Sequence, residues 1–205
     1  MAGKSGNQKN DVESNVLDDG AARLAERIRS ERLARSWSLD EMADRSGVSR
    51  AMVHRIESGA SSPTAALLGR ISGALQISMP ALLRDTPSGP QQRLVRAQHR
   101  KPWCDPETGY LREAITSAAH QSADDSHVPQ VTRVTLPPGA YVPFPKRAFE
   151  FISQAVWVLS GTLHFHEGET VHELCPDDCL ILGKSEECAF ENRTNGPCLY
   201  VVVVA

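Results

Sequence analysis

The chain has few aromatic residues and no long apolar segment. Aromatic side chains make up 5% of its 205 residues, against 40% for hydrophobic residues as a whole, a balance typical of globular domains with modest cores. No apolar run approaches the roughly 20 residues that a membrane-spanning helix needs. Residues 1–20 are polar and lack the apolar middle of a signal peptide. We therefore expect a cytoplasmic protein with no membrane partner.

Cysteine is also scarce, and its number is odd. The five cysteines are Cys104, Cys175, Cys179, Cys188 and Cys198. An odd number, in a chain expected to be cytosolic, argues against a disulfide framework. We interpret them as free thiols that are mostly buried, because free cysteine behaves as a small buried hydrophobic residue.

Charge is distributed unevenly along the chain, although the formal net charge is only −3. Residues 20–84 contain ten arginines and six acidic residues, whereas residues 86–205 contain ten basic and fourteen acidic residues. A basic first half and an acidic second half indicate two domains with different partners.

The sequence pattern changes at the same place. Residues 1–19 are rich in Asn, Asp and Ser and are predicted to be a disordered tail. Residues 20–84 have a helical pattern, and residues 85–105, which include the segment DTPSGPQQ, are predicted to be a linker. Short β-branched runs separated by turn residues predict an antiparallel sandwich or barrel over 106–205. The predicted strands are Leu94–Ala97, Val128–Leu136, Ala155–Leu159, Thr162–His166, Cys179–Leu182 and Leu199–Val204.

Five helices are predicted in the basic half. The first covers Ala21–Arg35 and has a mixed apolar and charged pattern. The others are placed by residues that favour helix starts: serine as N-cap, or proline at the first helical position. These starts are Ser38 for the second helix, Ser49 for the third, Ser62 with Pro63 for the fourth and Ser78 for the fifth, which ends near Leu83.

The segment Leu39–Ser58 has the residue types of a helix-turn-helix at fixed positions. Counted from Leu39, Ala43 is fifth, where only a small side chain fits against the crossing helix. Gly47 is ninth, in a tight turn where glycine adopts the left-handed backbone at little cost. Apolar residues of the inner face follow at positions ten, fifteen and eighteen: Val48, Val53 and Ile56. The alternative is a plain helical hairpin in an all-α domain.

Residues 20–84 resemble the lambda-repressor-like, or XRE-family, helix-turn-helix domain, most specifically in SLDEMA, GVSRAMVHRIESG and SSPTAALL. The resemblance implies a five-helix bundle whose third helix enters the major groove. It also implies which residues face DNA: Ser49, Arg50, Ala51, His54 and Arg55. One position departs from the family, because Leu39 stands where many members have Gln.

The predicted DNA-facing residues have different chemistry. Arg50 and Arg55 carry planar donor forks that can pair with a guanine edge, or can hold phosphate instead. Ala51 can contact a thymine methyl group, and His54 can donate to DNA or be a solvated surface residue. One such domain makes few contacts, so we expect a homodimer on an inverted repeat in double-stranded DNA.

The second half resembles a cupin, a small double-sheet β-barrel. VWVLSGTLHF is similar to the first motif of that fold, and ELCPDDCLILGKSEECAFEN to the second. The whole chain thus resembles XRE-family regulators with a C-terminal cupin domain. The implied fold class is two-domain α + β: a five-helix lambda-repressor-like bundle followed by a cupin-type antiparallel barrel, or jelly roll.

The resemblance implies that the metal site of cupins is not retained. The family's ligand positions hold Ala148, Glu150, Gln154 and Cys188, too few good ligands for a metal. The same ligand-count argument disfavours a metal at His164, His166 and His172, which fit a polar outer strand face. We expect no metal and no cofactor. The alternatives are a plain packed core or a pocket for an organic ligand, lined by Tyr141, Glu150, Gln154, Val156 and Cys188.

Three functional hypotheses follow. In the first, the chain is a sequence-specific transcription regulator, acting as a repressor, whose cupin domain senses a small molecule and dimerises. In the second, the barrel is a cupin enzyme tethered to a DNA-binding domain. In the third, the barrel is only a dimerisation scaffold. The lost ligand set favours a protein that is not an enzyme, and the effector has no signature in the sequence.

Overall fold

Five α-helices are followed by ten β-strands within the residues that the structure, a computed structural model, describes: 8–83, 94–116, 129–183 and 186–205. The helices are α1 (Gln8–Ala34), α2 (Leu39–Ser46), α3 (Arg50–Glu57), α4 (Ala65–Leu75) and α5 (Met79–Leu82). Among the described helices, none has the length and apolar character needed to cross a membrane.

The first helix is longer than the sequence pattern predicts. It begins at Gln8 rather than at Ala21, inside the segment 1–19 for which we expected disorder; residues 1–7 lie outside the described part of the chain. Extending a helix by one residue costs far less than nucleating it. The packed half of α1, with Leu24 and Ile28 buried, supplies the nucleus from which the polar segment continues.

Local capping fixes where most of the short helices begin. Ser38 and Glu41 form a capping box at α2: Ser38 Oγ accepts from Glu41 N at 3.1 Å, and Ser38 N donates to Glu41 Oε2 at 2.7 Å. The hydrogen bond from the Ser38 backbone N–H, and after it the interaction with the Ser38 side chain, hold the pKa of the Glu41 carboxyl below its usual value. Ser49 caps α3 and Ser78 caps α5, so these two predicted starts are confirmed.

The predicted start of α4 is wrong. Thr64, not Ser62, is the N-cap, and its Oγ1 accepts from Leu67 N at 3.3 Å, so Pro63 precedes the cap instead of opening the helix. The N–H of Ala65, the first helical residue, is satisfied by Asp105, which lies 40 residues further along the chain. The first turn of α4 is thus capped both by its neighbour Thr64 and by the distant Asp105.

The helical core contains the residues that the helix-turn-helix pattern placed inside. Val48, Val53 and Ile56 are buried, and α2 ends at Gly47, whose φ of +66° is the left-handed conformation that the pattern requires. The turn between α2 and α3 thus has the predicted geometry.

Two antiparallel sheets form the second half. The larger sheet has the order β1-β2-β3-β10-β5-β8 and the smaller β4-β9-β6-β7, and all strand pairs are antiparallel. This is the predicted cupin-type double-sheet barrel. The strands are β1 (Trp103–Cys104), β2 (Leu111–Ala114), β3 (Gln130–Leu136), β4 (Tyr141–Phe144), β5 (Gln154–Ser160), β6 (Leu163–Glu167), β7 (Thr170–Leu174), β8 (Cys179–Ile181), β9 (Cys188–Glu191) and β10 (Cys198–Val204).

Aromatic side chains join the two sheets in the barrel interior. Phe190 of β9 stacks on Tyr200 of β10 with ring centroids 5.4 Å apart and planes within 2°. Phe165 of β6 meets the Phe190 ring at 5.0 Å in a T-shaped contact. Such pairs stabilise the core beyond the area they bury, which explains how so few aromatics suffice.

Several strand predictions differ from the structure. The segment Leu94–Ala97 is not a strand and leads into a 3-10 turn, Ala97–His99. The predicted linker 85–105 ends too late, because β1 already belongs to the larger sheet and Trp103 is buried; residues 84–93 lie outside the described chain. Short strands with polar residues or proline lack a clear alternating pattern, so five were missed: β1, β2, β4, β7 and β9.

The helical half and the barrel pack directly on each other along α4. We call this contact the seam: Ala65, Gly69 and Gly73 of α4 against Asp105, Phe144 and Arg147 of the barrel. A Cβ on Gly69 would lie 2.8 Å from Phe144 Cδ1, and one on Gly73 would lie 2.8 Å from the Arg147 carbonyl oxygen. Helix backbone therefore lies against the barrel with no room for a side chain.

Asp105 anchors the seam. Its Oδ2 accepts from Ala65 N at 2.7 Å, while Oδ1 accepts from Glu107 N at 2.7 Å and from Thr108 N at 3.3 Å. The residue is 1% exposed. One buried carboxylate thus organises a barrel loop and caps a helix of the other domain, where the helix dipole favours a negative charge.

Replacing Asp105 with Ala should destabilise the whole chain. Three backbone N–H groups would lose their acceptor in a buried position, at a cost of about 1–3 kcal/mol in the free energy of unfolding. Urea denaturation followed by far-UV and tryptophan signals measures this, and the two signals should separate as the domains uncouple. Thr64→Ala, which removes a cap of the same helix from within its own domain, should leave the transitions coincident. Equal behaviour of the two variants would contradict the role assigned to Asp105.

Candidate nucleic-acid interface and barrel cavity

The outer face of α3 collects the five predicted DNA-facing residues. Val53 and Ile56 turn into the helical core, which leaves the opposite side of the helix to solvent. All five are exposed on this side or at the helix start: Ser49, Arg50, Ala51, His54 and Arg55. The structure therefore brings the predicted set together on one accessible helical surface.

Arg50 makes an ion pair that the sequence did not reveal. Its Nε lies 3.1 Å from Asp40 Oδ1 in the first turn of α2, and both side chains are well exposed, at 62% and 71%. Exposed pairs of this kind contribute little free energy because water and salt screen them. The pair therefore holds the guanidinium only weakly and leaves it accessible.

A buried ion pair fixes α3 on α1. Arg32 Nε donates to Glu57 Oε1 and Arg32 Nη2 to Glu57 Oε2, each at 2.7 Å, and Arg32 Nη1 donates to the Trp37 carbonyl at 2.7 Å. The hydrogen bonds that Arg32 donates to Glu57 raise the pKa of the Arg32 guanidinium above its usual value. Glu57 is thus paired within the helical domain. The role of Arg32 had no local sequence signal.

The barrel has a small cavity at the end where β5 begins. Its volume is about 20 Å³, enough for about one water molecule. Of the predicted pocket residues, Gln154 and Cys188 line it, and Val156 is buried further along β5. The lining residues are Phe149, Ile152, Gln154, Phe165, Glu167, Leu182, Gly183, Glu186 and Cys188.

The other two predicted pocket residues lie elsewhere. Tyr141 is exposed on β4, where its ring meets the His166 ring at 5.6 Å on the outer face of the smaller sheet. Glu150 is exposed beside the 3-10 turn Lys146–Ala148. The structure therefore brings Gln154 and Cys188 together and leaves Tyr141 and Glu150 outside the cavity.

The cavity carries polar groups of limited reactivity. Gln154 is buried, and its Nε2 atom has no hydrogen-bond partner among the described residues. Burial, and then the charge of Glu167, raises the pKa of the Cys188 thiol to about 12, so the thiol stays protonated near neutral pH. His172 Nε2 lies 3.2 Å from Glu167 Oε2 at the cavity edge.

The three barrel histidines do not converge. His164 and His166 project outward from β6, because Leu163 and Phe165 occupy its buried side, and His166 Nε2 lies 2.7 Å from Glu191 Oε2. His172 pairs in register with Phe165 and so faces the other way. Within the described part of the chain, no group of three or more His, Cys, Asp or Glu side chains could hold a metal ion.

The helical half matches a known protein family. Residues 28–82 match the family model HTH_3, a helix-turn-helix. This segment is an HTH_3 domain. The match confirms the resemblance to the XRE-type fold and includes all of α2, α3, α4 and α5.

Similarity to known proteins extends beyond residues 28–82. The chain is 31% identical over 109 residues to the HTH-type transcriptional regulator SutR of Escherichia coli (strain K12); the match covers 50% of this chain and 61% of that protein. An HTH_3 family transcriptional regulator from Vibrio cholerae is 22% identical with a TM-score of 0.71, over 92% of this chain and 97% of that one. A cupin domain of an XRE-family transcriptional regulator from Enterobacter cloacae is 17% identical with a TM-score of 0.39, over 46% and 94%. The Vibrio structure shows that helices and barrel share one fold with a solved protein.

Leu39, the position noted above as departing from the family pattern, is the first residue of α2. Leu39 is half-buried and packs against the helical core, so the position is used for packing rather than for a polar contact. Arg45, at the end of α2, lies 4.4 Å from the Trp37 ring centroid and is exposed. Arg70 reaches back to the Gly47 carbonyl at 3.4 Å. Arg45 and Arg70 add positive charge that sequence reasoning did not select.

Proposed function

We propose that the chain is a sequence-specific, DNA-binding transcription regulator that represses by occupying its site in double-stranded DNA. The observation that carries this proposal is the exposed face of α3, where Arg50, His54 and Arg55 accompany a capped helix start at Ser49. A helix presented in this way fits the major groove. The HTH_3 match and the regulator named SutR support the same role.

The residues on the exposed face of α3 are suited to different kinds of contact with DNA. Arg50 and Arg55 supply planar donor forks suited to a guanine edge or a phosphate. Ser49 lies at the helix N-terminus, where free N–H groups and the helix dipole favour a phosphate, and Ala51 adds an apolar contact. We propose a regulatory rather than catalytic role for the attached barrel.

Replacing Arg50 or Arg55 with Ala should weaken binding to a site selected from a random DNA library. A base-reading arginine should lose about 1–3 kcal/mol and relax selectivity at one position, whereas a phosphate contact should lower affinity for all sequences and reduce the salt dependence. Fluorescence anisotropy at several salt concentrations measures both. Arg193→Ala, which removes the same charge from an exposed barrel position, is the control. If it weakened binding as much as the α3 variants, a general charge effect would replace the proposed interface.

We further propose that a second copy of the chain covers the outer face of the larger sheet. Trp157 of β5 is 44% exposed and Ile181 of β8 is 78% exposed. The register pairs Trp157 with Val201, and Ala155 with both Ile181 and Val203, so all five side chains share this face. An exposed apolar face of this kind marks an interaction site. A two-fold dimer would also supply two α3 helices for an inverted repeat.

Lysine at Trp157 or Ile181 should convert the proposed dimer to a monomer, because a charge on each copy would meet itself or apolar surface across the two-fold axis. Analytical ultracentrifugation gives the mass of each variant. Val171→Lys provides the control, since Val171 is an apolar residue of similar exposure, 45%, on the outer face of the smaller sheet. If Val171→Lys were a monomer while Trp157→Lys and Ile181→Lys remained dimers, the interface would lie on the smaller sheet instead.

The barrel cavity is the proposed place for a small-molecule effector. Because it holds about one water, a larger ligand must displace its cover, which includes Phe149. The Phe149 ring contacts Phe144 at 5.4 Å between centroids, and Phe144 lies beneath Gly69 of α4. Ligand entry would therefore move the residues on which the DNA-binding half rests, which is the differential contact that allosteric coupling requires.

Filling the cavity by mutation should mimic the ligand. Cys188→Met adds length that must push on Phe149 or Ile152, since overpacking shifts neighbouring side chains. We expect a several-fold change in affinity for the selected DNA site while far-UV circular dichroism keeps the wild-type form. Cys175→Met makes the same change at an exposed cysteine and should leave affinity unchanged. A folded Cys188→Met protein with wild-type affinity would rule out this coupling.

A further inference from the structure

A row of inward-facing residues crosses the larger sheet far from the cavity. The strand register pairs Trp103 with Arg112, Arg112 with Val134, and Val134 with Tyr200. Residues paired across antiparallel strands project to the same face. Because Tyr200 stacks on Phe190 of the opposite sheet, the row faces the barrel interior.

Three side chains of this row carry buried polar atoms whose hydrogen bonding is incomplete within the described residues. Arg112 and Trp103 are each 7% exposed, and Tyr200 is fully buried. Trp103 Nε1 and Arg112 Nε form no hydrogen bond with the described residues, and the Tyr200 hydroxyl interacts, among those residues, with the hydroxyl of Tyr110 alone. Unsatisfied buried polar groups are costly, and several in one place call for an explanation such as a bound ion or ligand.

The charge of Arg112 also lacks a neutralising acid among the described residues. Its Nη1 donates to the hydroxyl of buried Tyr110 at 2.7 Å, a neutral acceptor. The adjacent residue, Glu113, pairs with Arg133 instead. Asp105, the buried acid on the neighbouring loop, already accepts hydrogen bonds from three backbone N–H groups. Leaving a guanidinium buried without an anion is strongly unfavourable.

We propose that Arg112, Trp103 and Tyr200 form a binding site for a small oxyanion of the carboxylate class. Every unpartnered atom of the site is able to donate a hydrogen bond, and the guanidinium has the planar geometry that matches a carboxylate. Burial raises the pKa of Tyr200 well above its usual value, so its hydroxyl keeps the proton that it would donate. Neutral or cationic ligands would leave the Arg112 charge unpaired.

The site is distinct from the cavity near Gln154. Gln154 pairs in register with Val204, four residues beyond Tyr200 on β10, which separates the two places by about 13 Å along the strand. The site instead adjoins the seam, because Trp103 precedes Asp105 by two residues. If the anion is the effector, this inference deepens the proposed function and rests on it, but anion binding itself requires no DNA.

Thermal unfolding of the full chain with sodium acetate tests the site, with equal concentrations of sodium chloride and of acetamide as references. A ligand that binds only the folded state raises the melting temperature, so acetate should raise it by about 2 °C or more over both references. Acetamide has the same shape without the charge. Equal melting temperatures in acetate, chloride and acetamide would overturn the proposal and indicate that water alone occupies the row.

Variants show whether acetate binds in the row. Tyr200→Phe removes a buried hydroxyl whose neighbour is the Tyr110 hydroxyl, so it should fold about as stably as the wild type without acetate, yet respond less to acetate. Arg112→Met should abolish the response. Trp103→Phe gives a further folded variant if Arg112→Met does not fold. If Tyr200→Phe and Trp103→Phe both responded to acetate as the wild type does, the proposed site would be wrong and acetate would be an adventitious ion only. DNA binding, measured in parallel, tests the proposed regulator separately.

Discussion

The buried carboxylate of Asp105 is the interaction on which the arrangement of the two halves depends. It comes from a barrel loop and caps the first turn of α4, and α4 in turn packs on α2 and on the barrel strand β4. Because α2 carries α3 through a tight glycine turn, the recognition surface has a fixed placement relative to the barrel. A carboxylate in this position is stable only while all its N–H donors stay in place, so the halves support each other.

The features that sequence reasoning obtained correctly are local ones. The glycine turn at Gly47 and the caps at Ser38 and Ser49 depend on contacts within a few residues, and their steric rules are the same in any context. At α4 the same local rule admits both Ser62 and Thr64 as caps, and the contact of Ala65 N with Asp105, 40 residues away, lies outside any local rule. Strands β1 and β2 are short, and their place in the sheet depends on pairing with distant partners.

The site predictions also succeeded where local structure decides and failed where distant contacts decide. The five residues expected to face DNA share one exposed helical face, since helix periodicity places them there once the buried side is known. The pocket residues required a strand register that the sequence does not contain. Tyr141 faces outward because Val142 and Phe144 occupy the inner side of β4, and Glu150 lies in a loop. Arg112 had no signal at all, because a single arginine in a four-residue strand resembles an ordinary surface residue.

The two glycines of α4 have a mechanical consequence. Where side chains separate two domains, a small displacement on one side is absorbed by rotation about side-chain torsions. At Gly73 the helix backbone lies directly on the backbone carbonyl of Arg147 with no side chain between them, whereas at Gly69 it meets the Phe144 ring. A shift of the 3-10 turn Lys146–Ala148, which carries this carbonyl, must therefore tilt α4 as a rigid lever. In the proposed dimer, opposite tilts of two such levers would alter the distance between the recognition helices, and with it the DNA spacing that the protein accepts.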